Sequence, residues 1–137
     1  MSIPDRSEYE ALIYDLPNRF PGIEFSTLHV HSTSSTTGTL EGEIVLKNGI
    51  RIQAVEVLDF GSSLIRKYSY TIHRGEKKIR WYDPQPHPEN ASLASTFPHH
   101  FHEEPGIKQN RKPAPGISFD APNLPALLEV CARLGEE

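Results

Sequence analysis

The sequence predicts an α+β domain: an antiparallel meander sheet of about five strands, with an N-terminal and a C-terminal helix packed on it. Three observations carry this expectation. Helical periodicity is confined to the two ends of the chain. Between them lie apolar-rich runs joined by two glycine-bearing turns. A long histidine- and proline-rich segment, residues 84–122, then separates the last strand from the last helix and shows almost no periodicity.

The elements follow in order. Ser7 and Glu10 stand three apart as a capping box, and Tyr9, Leu12, Ile13 and Leu16 follow at helical spacing. Pro17 and Pro21-Gly22 are stop signals, so the first helix is expected at about 7–16. Residues 23–32 alternate imperfectly and read as a strand with a bulge or two-sided burial. Residues 39–47 and 50–60 flank Asn48-Gly49, a strong hairpin signal because both turn positions of the favoured turn need positive φ. The change of phase from Ile50 and Ile52 to Val55 and Val57 suggests a bulge near Ala54. Residues 64–74 and 78–83 flank Gly75 as a second hairpin, with Leu64, Tyr68, Tyr70 and Ile72 on one face. Residues 124–134 read as the closing helix, with Asn123 as its cap and Pro125 in its first turn. Its apolar stripe is Leu124, Leu127, Leu128, Cys131 and Leu134, and Gly135 ends it.

Composition sets the outer bounds. The 137 residues suit a single domain spanning 1–137. The net charge of −4 argues against a coat protein for long nucleic acid. A lone cysteine, Cys131, forms no intrachain disulfide and reads as a small core hydrophobe. No apolar run approaches the ~20 residues of a membrane span, and the N-terminus lacks a signal-peptide layout. The expected compartment is the cytoplasm, with no membrane partner.

Two stretches could carry chemistry. In the second hairpin, Arg66, Lys67, Arg74, Lys77, Lys78 and Arg80 interleave with Tyr68, Tyr70, Trp81 and Tyr82. Cations attract phosphate and aromatic rings stack on bases, although strand aromatics also serve as core. The second stretch holds His87, His99, His100 and His102. Histidine titrates near neutrality, so a pair can divide general-base and general-acid work at one phosphodiester. With a ribose 2′-hydroxyl as nucleophile, such a site needs no metal or other cofactor. His99, His100, His102 and Glu103 could instead ligate a metal, but their spacing matches no zinc pattern. His29, His31 and His73 lie within strands and read as structural.

The ordered motifs Tyr68-Ser-Tyr70, Ile79-Arg80-Trp81-Tyr82-Asp83, Pro86-His87-Pro88-Glu89 and Phe97-Pro98-His99-His100-Phe101-His102 resemble the TumE-like proteins, toxins of bacterial toxin–antitoxin modules. The resemblance spans about residues 40–134. It implies a toxin with a cognate antitoxin as partner and, by analogy with toxins of this size, ribonuclease activity. Two departures stand out. Trp81 is inserted between the arginine and the Tyr-Asp pair, which turns Arg80 toward the face opposite to the family's. The first loop holds one histidine, His87, where the family commonly has two.

The sequence therefore points to a metal-independent ribonuclease of a prokaryotic toxin–antitoxin or antiviral defence system. His99, His100 and His102, with His87, are the expected catalytic residues. Tyr68, Tyr70, Arg80, Trp81, Lys67 and Lys108 are the expected contacts to RNA, and a homodimer is expected. Two alternatives stay open. One is a ring nuclease acting on short or cyclic oligoribonucleotides such as the cyclic oligoadenylate messengers of CRISPR systems. The other is a non-enzymatic module that binds a partner protein or a metal.

Overall fold

Asp5, one residue before the first helical position, starts the first helix. Its side chain accepts the Glu8 backbone N–H, and α1 runs Arg6–Arg19. Ser7, expected to be the cap, lies inside the helix instead. An aspartate caps as well as serine and adds a favourable charge at the helix N-terminus. Pro17 does not end α1 either. It only forgoes its own backbone bond, and the Phe20 N–H closes the last turn on the Leu16 carbonyl. The structure, a computed structural model, describes residues 2–135.

The predicted strand 23–32 is two strands, β1 (Ile23–Ser26) and β2 (His29–Ser32), which pair successively with β3 (Thr37–Leu46). The chain breaks at Thr27-Leu28, opposite Gly42. Gly42 has φ +135°, and a Cβ there would lie 2.6 Å from the Thr27 carbonyl oxygen. Only glycine lets the kinked chain approach so closely. The Asn48-Gly49 turn leads into β4 (Ile50–Asp59) as expected, but only Gly49 has positive φ. The Asn48 side chain accepts the Ile50 N–H and donates to the Cys131 carbonyl, anchoring the turn to the last helix.

β4 alternates without a break, so the bulge expected near Ala54 is absent. Ile50, Ile52, Ala54, Glu56 and Leu58 point inward, whereas Val55 and Val57 face outward, 44% and 39% exposed. The apparent phase change arose because the inward position between Ala54 and Leu58 holds a glutamate. The bulge lies across from it, at Arg66 of β5 (Leu64–Arg74), where Val57 pairs Lys67 and Leu58 pairs Ile65. Tyr68, Tyr70 and Ile72 share the inward face, as the alternation predicts, but Leu64 does not: the bulge shifts the phase, so Ile65 takes the inward position opposite Leu58.

Glu56 is fully buried and accepts hydrogen bonds from the Tyr9 hydroxyl of α1 and the Tyr70 hydroxyl of β5. Tyr70 in turn accepts from Asn123 Nδ2 at 3.0 Å. Asn123 precedes α2 (Leu124–Leu134) but makes no capping bond, since its amide is spent on Tyr70 and on the Ser118 backbone. Pro125, without an N–H, already removes one of the donors a cap would serve. Burial raises the Glu56 pKa, against the pull of its two tyrosine partners. The α2 stripe of Leu124, Leu127, Leu128, Cys131 and Leu134 packs on the same sheet face as Tyr9, Ile13 and Leu16 of α1.

The largest departure concerns the long loop. Residues 84–122 contain a 3₁₀ turn (Ala91–Thr96) and two strands, β7 (His100–Glu103) and β8 (Arg111–Pro113). They add to β6 (Lys77–Asp83), so the sheet has eight strands rather than about five. Its order is β1-β3-β4-β5-β6-β7-β8, with β2 also on β3, and all pairs are antiparallel. Strands of four and three residues carry too few positions for a period to show. No helix among the described residues is long and apolar enough to cross a membrane.

Because the folded pKa of Glu56 is raised, its contribution to stability is full below the ordinary carboxylate range. It falls as pH rises through the folded-state value. Thermal unfolding of Glu56→Gln should therefore show a smaller loss of Tm between pH 5 and pH 8 than the parent. Glu56→Leu leaves two buried hydroxyls without their acceptor and should cost about 1–3 kcal/mol for each. Equal stability of the Leu and Gln variants would contradict this account. Burial pushes the Cys131 thiol up to about 12, so a thiol reagent at pH 8 should label it only after unfolding.

Candidate functional site: a histidine–aspartate cluster on paired strands

Strand alternation sorts the chemistry-bearing side chains onto two faces. β6 and β7 pair with Asp83 opposite His100, Tyr82 opposite Phe101, Trp81 opposite His102 and Arg80 opposite Glu103. Tyr82, Phe101 and Arg80 therefore face the helices. Asp83, His100, His102 and Trp81 face the other way.

On that outer face three groups converge. His100 Nε2 lies 3.2 Å from His102 Nε2 and 3.3 Å from Asp83 Oδ1. His102 Nε2 lies 3.2 Å from Asp83 Oδ2. His100 Nδ1 sits 3.1 Å from the Pro98 carbonyl oxygen, which requires the ring N–H to be on that side. Trp81 stacks on the His102 ring at 4.6 Å. His87 comes from the segment after β6 and lies edge-on to His100, ring centres 5.1 Å apart, with its Nδ1 3.4 Å from Glu89. His100 and His102 are almost fully buried, at 1% and 4% exposure. Burial lowers the His100 pKa against the opposing pull of the Pro98 carbonyl and Asp83.

Beside the cluster runs a groove of about 420 Å³. Arg66, Lys67, Tyr68, Trp81, Asp83 and Phe119 line it. Lys78 Nζ stands 5.6 Å from the Trp81 ring centre. The groove thus joins cations, stacking faces and one member of the cluster.

The structure divides the residues expected from sequence. His87, His100 and His102 come together. His99 does not join them: as the residue before His100 it falls on the opposite face. There its Nδ1 meets the Tyr68 hydroxyl at 2.6 Å and its ring packs on Tyr68 and Phe119. Burial lowers the His99 pKa and raises that of Tyr68. Lys67, Tyr68 and Trp81 line the groove, whereas Tyr70 is sealed in the core with Glu56 and Asn123. Arg80 lies on the helix face, 4.3 Å from the Phe101 ring centre, donating to the Tyr82 hydroxyl at 3.2 Å and paired with Glu103 at 3.5 Å. Lys108 is exposed in the β7–β8 turn. His29 and His31 are half-exposed on β2, near Glu41 of β3. Reading single positions missed Asp83, because only the β6–β7 register sets it beside the histidines.

The fold is thus an α+β domain in which a buried histidine–aspartate cluster adjoins a basic aromatic groove. The chain matches the family described as Toxin TumE over residues 11–134, nearly its whole length, and belongs to that family of toxins. Neither a curated protein nor a solved structure matches it.

The Tyr68–His99 bond is structural in this geometry. Tyr68→Phe leaves the buried His99 ring nitrogen without its partner and should cost about 1–3 kcal/mol in urea unfolding. A loss below about 0.3 kcal/mol would show that the bond is not formed in solution.

Proposed function

We propose that this toxin acts by cleaving RNA phosphodiester bonds at the cluster of His87, His100, His102 and Asp83. The observation that carries the reading is the contact between that cluster and the groove of Arg66, Lys67, Trp81 and Phe119. Phosphate is drawn by the two cations, and a base stacks on Trp81 or Phe119. The scissile phosphate is thereby set against Asp83 and its two histidines.

The reaction uses the substrate's own nucleophile. An imidazole takes the 2′-hydroxyl proton as the 2′-oxygen bonds to phosphorus. The bond from phosphorus to the 5′-oxygen breaks, and that oxygen takes a proton from the imidazolium. The products are a 2′,3′-cyclic phosphate and a 5′-hydroxyl. His87, edge-on to His100 and outside the close triad, is placed to move these protons.

A groove of about 420 Å³ falls within the roughly 300–1,000 Å³ typical of small-ligand sites. Together with the acidic net charge, this favours a short or cyclic oligoribonucleotide as a second substrate reading. Membership of a toxin family supports an antitoxin as protein partner.

The test is cleavage of labelled RNA and of cyclic oligoadenylate by the parent, His87→Ala, His100→Ala and Lys67→Ala. Loss of His87, the proton-transfer histidine, should lower the rate about 10²–10⁴-fold, and His100→Ala should lower it by disrupting the cluster beside it. Lys67→Ala should weaken binding in a salt-dependent way and leave the bound-state rate nearly unchanged. Mass spectrometry should find 2′,3′-cyclic phosphate ends. Failure of the intact toxin to cleave either substrate, at concentrations that arrest growth, would overturn the reading.

A further inference from the structure

We propose that Asp83, His100 and His102 form a binding site for one divalent transition-metal ion of the zinc class. The ion's use in catalysis rests on the RNA-cleavage reading above; its binding does not.

Spacing is the first argument. A tetrahedral zinc ion with ligand bonds of about 2.0–2.2 Å holds neighbouring ligand atoms about 3.3–3.5 Å apart. Here the two imidazole nitrogens are 3.2 Å apart, and the carboxylate presents one oxygen to each, at 3.3 and 3.2 Å. The scaffold makes this set rigid. His100 and His102 are two apart on β7, so both point the same way, and Asp83 is the cross-strand partner of His100.

Proton counting is the second argument. His100 spends its ring N–H on the Pro98 carbonyl, so in the neutral ring Nε2 is a lone pair. It faces His102 Nε2 and Asp83 Oδ1. His102 Nδ1 is buried without a partner, so its single proton belongs on Nε2. One proton thus serves three acceptors: the His100 nitrogen and both carboxylate oxygens. His100 Nε2 and Asp83 Oδ1 meet lone pair to lone pair at 3.3 Å. A cation at the centre satisfies all of them. It also shifts the His102 proton to the buried, unpartnered Nδ1, a cost that the three metal–ligand bonds offset.

The surroundings fit as well. A metal-bound histidine ordinarily donates its other N–H to a carbonyl or carboxylate, as His100 does to Pro98. Two nitrogens and one oxygen select a borderline ion over magnesium or calcium, which prefer all-oxygen sets. With the carboxylate bound through one oxygen, three protein ligands leave a fourth position for a water or a phosphate oxygen, the pattern of catalytic sites. The ligand set differs from the one suggested by sequence. His99 is bound to Tyr68, and Glu103 is paired with Arg80 and Lys112.

The exposed group of His29, His31 and Glu41 could also take a metal, so the experiment starts from His29→Ala/His31→Ala. That protein, stripped with EDTA, is titrated with zinc by calorimetry and with cobalt by visible absorption. The expected result is one ion per chain, with cobalt bands of tetrahedral intensity. Asp83→Asn and His100→Ala, checked for fold by circular dichroism, should each lower zinc affinity at least about tenfold. His99→Ala should not. Absence of zinc binding tighter than millimolar, or binding undiminished by Asp83→Asn and His100→Ala, overturns the metal site. RNA cleavage that survives EDTA without tight zinc binding sinks the metal and spares the ribonuclease. One tight zinc that leaves both RNA substrates intact does the reverse.

Discussion

The pairing of β6 with β7 is the contact on which the site depends. It places Asp83 against His100 and Trp81 against His102, and it sends Tyr82, Phe101 and Arg80 to the other face. A slip of one residue would exchange the two sets. The histidines would then enter the helix-facing core, and Phe101 would emerge where they now lie. Apolar burial enforces the register, because Tyr82 and Phe101 belong to the core packed beneath α2. Packing on one face thus positions the histidine–aspartate cluster on the other.

A second constraint lies deeper in the same sheet. Glu56 interrupts the apolar inward row of β4 and is reconciled with it only by hydroxyls from α1 and β5. The chain of Tyr9, Glu56, Tyr70 and Asn123 links both helices to the sheet through polar contacts that demand defined geometry. An all-apolar row would bury the same area with less directional control. The network also accounts for two departures from local rules. Asn123 does not cap its own helix, and Tyr70 does not reach the groove. Both are already committed to Glu56 or to each other.

Elements with several repeats of their period were legible. Both helices, the β3–β4 and β5–β6 hairpins and the α2 stripe appear close to where the alternation and turn residues put them. Element edges were less legible, because capping residues compete: Asp5 displaced Ser7, and Pro17 was tolerated in a last turn. β7 and β8 were not legible at all. They are short, their histidines, arginine and lysine are poor strand signals, and they form only by pairing in turn, β7 on β6 and β8 on β7.

Composition and local pattern alone determined an α+β domain, a basic aromatic hairpin, a concentration of histidines and kinship to a toxin family. Those properties follow from residue type and near-neighbour spacing. Tertiary structure decided which of those histidines lie together. His99 and His100 are adjacent in the chain but lie on opposite faces, whereas Asp83 and His100, seventeen positions apart, touch across a ladder. Proximity across a sheet is set by register, and register is decided by the whole buried face rather than by any one segment.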